Sequence, residues 1–153
     1  MQEAARAIVS SSKFAPQGTR GCGSPFTHQV FSVESRTYEL ECNSNLLVIV
    51  QIESRSGVEN VHDIASVDGV DVLFVGPFDL AKSMDIEFGG KEHEEAIAKT
   101  LKACKDNGKK AAIFCESQDV PLPCHGMSYR RPGLLSHLML DPQAFRENRP
   151  RSV

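Results

Sequence analysis

The sequence predicts an α/β fold with parallel strands, and three observations carry the prediction. The runs "LLVIVQI" (46–52), "DVLFV" (71–75) and "AAIFC" (111–115) are largely apolar without alternation, the pattern of strands covered on both faces. Segments with helical spacing separate these runs, giving strand, helix, strand, helix, strand. The first two strands start about 25 residues apart, a usual βα repeat. Three such strands belong either to an open sheet or to a piece of a closed barrel.

Taken in order, residues 2 to about 12 form a helix, because Ala4, Ala5, Ile8 and Val9 recur at helical spacing. "FAPQGTRGCGSPF" follows as a loop punctuated by Pro16, Gly18, Gly21, Gly23 and Pro25. Residues 36 to 44 are read as a short helix, then comes the strand 46–52. In "SGVENVHDIASVDGV", Val58, Val61, Ile64 and Ala65 share one helical face, and Asp68-Gly69 marks a turn. The second strand is closed by Gly76-Pro77, and a glycine-bearing loop leads on. Residues 92 to 107 form a helix with Ala96, Ile97, Thr100, Leu101 and Cys104 inward and Gly108 as its stop. "KKAAIFC" is the third strand.

After Cys115 the composition changes. Every lysine lies at or before Lys110, and five of the eight prolines (Pro121, Pro123, Pro132, Pro142 and Pro150) fall in the tail. "GLLSHLML" has room for two helical turns, but the strand–helix rhythm stops. Residues 1–116 are therefore read as the α/β domain and 117–153 as an Arg/Pro-rich, poorly ordered extension.

The chain of 153 residues is long enough for one domain with a real core. A net charge of −3 proposes neither nucleic acid nor an anionic membrane as partner. No apolar run reaches the length of a bilayer span, and the start, with Glu3 near its front, is not patterned as a secretory signal. Five scattered cysteines without a CxxC pair fit reduced thiols in a cytoplasmic protein. Cys115, Cys124 and His125 lack the second paired motif of a zinc site and are discounted.

Ligands of parallel α/β folds lie beyond the carboxyl ends of the strands. Gln51 and Glu53 stand at such an end, two residues apart and so on one side, and Asp79 follows the second strand in "GPFDL". Two converging carboxylates repel each other unless a cation lies between them, and Mg²⁺ is commonly held by one or two carboxylates with substrate oxygens and water. Gly76 and Pro77 let backbone approach a ligand. The plainer alternative makes Glu53 a helix cap and Asp79 a turn or cap residue, and spacing leaves both open.

"VIVQIES", followed some two dozen residues later by "DVLFVGPFDLAKSM", resembles the HpcH/HpaI aldolase/citrate lyase family, metal-dependent class II pyruvate aldolases. The family's Q-x-E strand end and G-P-x-D-L strand end are matched by Gln51, Glu53, Gly76, Pro77, Asp79 and Leu80. "FAPQGTRGCG" is similar to its Y/F-P-P-x-G-x-R-G-x-G loop, with Ala15 where a proline is usual, and "ACKDNGKKAAIFC" to its helix-to-strand passage. The likeness covers roughly residues 2 to 117.

The resemblance implies a (β/α)8 TIM barrel of the phosphoenolpyruvate/pyruvate-binding type, of which about the fifth to the seventh strand are present. It implies Glu53 and Asp79 as ligands of a divalent ion (Mg²⁺, Mn²⁺ or Co²⁺). Gln51 then stands near a bound 2-oxo acid such as pyruvate, and Gly76 and Pro77 belong to the backbone around its carboxylate. The implied reaction splits a 4-hydroxy-2-oxo acid into pyruvate and an aldehyde, the metal acting as Lewis acid. Complete members are expected to form homo-oligomers. Such barrels need about 250 residues. The four earlier strands, with a substrate-pairing arginine and a histidine-centred base, and the closing strand are not matched. An incomplete barrel exposes the inner faces of its strands and two unpaired edges, and this chain by itself is expected to have little or no aldolase turnover.

Other polar residues carry simpler readings. Arg20 either contacts an anion or anchors its loop, and His28, just after the same loop, is a candidate acid–base group. His62 and His93 are read as solvated, and Lys109 and Lys110 as a helix-end charge pair. Two further functions stand beside the aldolase: an acyl-CoA ester lyase of the citrate lyase β type, and a non-catalytic fragment or interaction module.

Overall fold

The computed structural model describes residues 1–115, 128–129 and 137–140. Helices α1 (Gln2–Ser12), α2 (Thr27–Val30) and α3 (Ser35–Asn45) precede β1 (Ile49–Ile52). Two short helices, α4 (Arg55–Glu59) and α5 (Val61–Ala65), lead to β2 (Val72–Val75). Then come α6 (Pro77–Met84), α7 (Lys91–Asp106), β3 (Lys110–Cys115), β4 (Ser128–Tyr129) and β5 (His137–Leu140). The sheet order is β1-β2-β3-β5-β4. β1, β2 and β3 are parallel, with Gln51 opposite Phe74 and Phe74 opposite Ala112.

The parallel trio follows from the apolar runs, and β2 and β3 are buried on both faces at Val72, Leu73, Ala112 and Ile113, whereas β1 is covered on one side. Val50, Ile52, Leu73, Val75, Ala111 and Ile113 form one face and pack with α4–α7 into a single core. On the opposite face Ile49 is 51% exposed and Gln51 is exposed among the described residues. The expectation of a β1 buried on both faces is thereby corrected: an apolar run records what a strand can bury, and the described part of the chain covers one side of β1.

Other boundaries differ for local reasons. β1 begins at Ile49, not Leu46, because the Val48 N–H donates to the Asp71 carboxylate (2.8 Å) where a ladder bond would otherwise form. The helix read across Val58–Ala65 is interrupted at Asn60, whose side chain donates to the Ser56 carbonyl (2.8 Å), a local competitor of helix bonding. The stretch after Gly76-Pro77 is a helix, not a loop. Pro77 occupies its first position, where the missing N–H costs nothing, and Leu80, Ala81 and Met84 are buried.

Past β3 the chain returns as β5, antiparallel to β3 with Ile113 opposite Met139. Residues 137–140 thus form a strand where two helical turns were expected, and one of the two expected free edges is paired. The other, along β1, has no second neighbour among the described strands. The remaining tail readings, including Cys124 and His125, lie outside the described residues. Among the described residues no helix is long and apolar enough to cross a membrane.

Cys104 is 2% exposed, and burial pushes its thiol up from 9.0 to about 11. Its proton is therefore shed first by the unfolded chain as pH rises. The stability this group contributes is complete below pH 9 and is lost between pH 9 and about 11. Urea titrations at both ends of that window are expected to show a larger loss for the parent than for Cys104→Ala.

Candidate functional site

The site is built at the carboxyl ends of β1 and β2. Gln51 lies on the uncovered face of β1, and alternation places Glu53 on the same side just past the strand. The Gln51 Nε2 donates to the Glu53 Oε2 at 2.6 Å. β2 ends beside them, and the Gly76 N–H donates to the Ile52 carbonyl (3.3 Å), carrying the pairing one step past both strands.

Gly76 is where the two strand ends close up. A Cβ there would stand 2.6 Å from the Gln51 Nε2 and 3.5 Å from the Glu53 Cβ, so only glycine lets the amide lie across the end of β2. Pro77 then starts α6, and Asp79 falls in its first turn. A hollow of about 250 Å³ is lined by Gln51, Phe74, Gly76, Pro77, Phe78, Asp79 and Phe114. Four of the five expected residues thus border one hollow, and the fifth, Glu53, is tied to it through Gln51.

Among the described residues no group of three or more His, Cys, Asp or Glu side chains encloses a metal position. Glu53 and Asp79, both exposed at neighbouring strand ends, offer two hard oxygen donors. That suits an ion of the Mg²⁺ kind, which keeps water or substrate oxygens in its remaining positions, better than a fully protein-enclosed site.

Gly76→Ala tests the packing at the strand ends. The atom in the way is the far end of a flexible side chain, so the stability loss is expected to stay below about 1 kcal/mol. The Gln51 amide, however, must leave Glu53. Its side-chain NH₂ resonances are expected to move while the urea midpoint holds.

Other expected residues lie elsewhere. Arg20 anchors its loop: its guanidinium lies 4.7 Å from the centre of the Phe14 ring, and its Nη2 donates to the Tyr38 hydroxyl (3.4 Å). His28 borders a separate hollow with Phe14, Cys22 and Glu39. His62 is exposed, as read. Lys109 donates to the Val67 carbonyl (3.1 Å) rather than standing as a simple charge, and Lys110 begins β3.

His93 corrects the sequence reading outright. It is 2% exposed, its Nδ1 accepts the Gly89 N–H at 3.1 Å, and its Nε2 stands 2.9 Å from the Pro77 carbonyl. The available signal was its place three residues after Gly90, in the first turn of α7, where a side-chain acceptor satisfies an orphan N–H. The aromatic wall was also missed: Phe78 stacks on Phe88 at 4.6 Å and meets Phe114 edge-on at 6.4 Å.

Residues 1–117 match the sequence profile of the HpcH/HpaI aldolase/citrate lyase family. The chain belongs to that family. It is 37% identical over 119 residues to the hydroxypyruvate/pyruvate aldolase of Chromohalobacter salexigens, covering 76% of this chain and 46% of that protein. Against the 5-keto-4-deoxy-D-glucarate aldolase of Salmonella arizonae it is 39% identical over 116 residues, covering 74% and 44%. The crystal structure of an HpcH/HpaI aldolase/citrate lyase family protein from Burkholderia cenocepacia superposes with a TM-score of 0.68 at 35% identity, covering 75% and 47%. The α/β fold is therefore that of HpcH/HpaI structures, and these named relatives are aldolases, carbon–carbon lyases. The chain spans about half the length of the curated HpcH/HpaI relatives it matches.

Proposed function

We propose that this chain carries the cation- and 2-oxo-acid-binding end of a metal-dependent pyruvate aldolase, with β1, β2 and β3 as the fifth to seventh strands of a (β/α)8 barrel. The observation that supports it most is that Glu53 and Asp79 follow adjacent parallel strand ends, beside a glycine that admits the Gln51 amide. The reaction is cleavage of a 4-hydroxy-2-oxo acid to pyruvate and an aldehyde. Glu53 and Asp79 hold the divalent ion, which is Mg²⁺, Mn²⁺ or Co²⁺. Bound there, it supplies Lewis acidity toward the oxygens of the 2-oxo acid.

The protein groups have separate tasks. Gln51, restrained by Glu53, stands at the rim of the hollow as a donor to substrate. The first turn of α6, entered through the backbone of Gly76 and Pro77, presents a partial positive charge suited to a carboxylate. Phe74, Phe78 and Phe114 give the hollow an apolar wall. The exposed Leu47 and Ile49 favour one second reading, an interaction module whose uncovered sheet face seats against further protein. A cytoplasmic location accords with the free thiols of Cys22, Cys42 and Cys104.

The test is a partial reaction that needs fewer groups than full cleavage. Proton NMR of pyruvate in D₂O with Mn²⁺-loaded and then demetallated protein reads methyl deuteration catalysed by the bound ion. Faster deuteration than with free Mn²⁺ supports the aldolase reading. A rate equal to that of free Mn²⁺, together with self-association through the exposed face, favours the interaction module.

A further inference from the structure

We propose that His93 is a positioning residue of this site: fixed as its Nε2–H tautomer, it holds the first turn of α6 and with it Asp79. The inference rests on the reading of Asp79 as a cation ligand and goes beyond it to what sets the position of that carboxylate.

The tautomer follows from the two contacts together. The Gly89 N–H can only donate, so the Nδ1 it reaches at 3.1 Å carries a lone pair. The proton is then on Nε2, which donates to the Pro77 carbonyl at 2.9 Å, an oxygen that can only accept. Both ring nitrogens are satisfied in a side chain that is 2% exposed. The bond spans 16 residues and joins α7 to the first residue of α6.

A second contact reaches the same turn. The Phe88 ring lies 5.1 Å from His93 and stacks on Phe78 at 4.6 Å, nearly parallel at 6°. His93 thus touches Pro77 directly and Phe78 through one ring, and these two residues immediately precede Asp79. Among the described residues the Asp79 carboxylate has no hydrogen-bond or ion-pair partner. Its place is therefore set by the backbone that carries it, and His93 is the buried polar side chain bonded to that backbone.

The experiment compares the full chain with His93→Phe, which keeps a ring without donors, and His93→Gln, whose amide restores one. Long-range ¹⁵N–¹H spectra of the parent are expected to show the Nε2–H tautomer; an Nδ1–H pattern overturns the proposal without any variant. Manganese titration followed by electron paramagnetic resonance is expected to show binding weakened about tenfold or more in His93→Phe and largely regained in His93→Gln, the scale at which partners of metal ligands act. Equal Mn²⁺ affinity in all three, with binding still abolished by Glu53→Gln, overturns positioning and leaves the cation site standing. If the parent binds no Mn²⁺ beyond the level of Glu53→Gln, the functional reading fails by itself. Positioning is then decided by amide exchange at Leu80, whose N–H bonds Gly76 across this turn (2.9 Å). Faster exchange in His93→Phe that His93→Gln reverses supports it, and unchanged exchange overturns it.

Discussion

Replacing Glu53 with glutamine is expected to weaken Mn²⁺ binding by more than about a hundredfold, because loss of an outer partner of a ligand alone is commonly worth about 10- to 100-fold. The change keeps the size and shape of the side chain and removes its charge. Glu53 is exposed, and its one hydrogen bond, from Gln51, can be kept by the new amide oxygen. The fold is therefore expected to survive, with a circular dichroism spectrum and urea midpoint close to the parent. Asp79→Asn is expected to act in the same direction. Isothermal titration with Mn²⁺, run beside pyruvate deuteration, checks both effects. Parent-like Mn²⁺ affinity in Glu53→Gln would remove the carboxylate pair from the proposed chemistry and leave Glu53 as a partner of Gln51.

The largest stability effect is expected at Leu73. This side chain has 0% exposure in the central strand of the parallel trio and faces the core that the helices cover. Leu73→Ala deletes buried methyl groups and leaves a cavity that its neighbours fill only in part, at a cost of about 2–5 kcal/mol. Domains are commonly stable by about 5–15 kcal/mol in total, so the variant is expected to unfold at far lower urea. Leu47→Ala is the internal control, because Leu47 is 52% exposed and its loss is expected to cost within about 0.5 kcal/mol. Equal midpoints for the two variants would place the stabilising core elsewhere than the helix-covered face.

The comparison of these two leucines shows how far the sequence could be read. Both lie in apolar runs, and the runs gave the parallel strands and their order along the chain, while helical spacing gave the helix over 92 to 107, found at Lys91–Asp106 with Ala96, Ile97, Thr100 and Cys104 buried and Leu101 partly buried. Nothing local tells Leu73 from Leu47. Which face of a strand is covered depends on helices tens of residues away, and an apolar run carries no record of whether they are present. Gly76-Pro77 was read as a stop because proline interrupts a strand; the same proline is an apt first residue for α6.

The site divides along the same line. The sequence by itself determined that Gln51 and Glu53 share one side of a strand end, because strand alternation is a local rule, and that Gly76, Pro77 and Asp79 follow the end of the next strand. The resemblance of those motifs to the HpcH/HpaI aldolase/citrate lyase family was legible there as well. Only the tertiary structure decided that the Gln51 amide occupies the room left by a missing Cβ at Gly76, that β5 closes the edge of β3, and that His93 is buried against the Pro77 carbonyl. Each of these is a contact between segments distant in sequence. Such contacts depend on how whole elements pack, and periodicity within one element does not encode them.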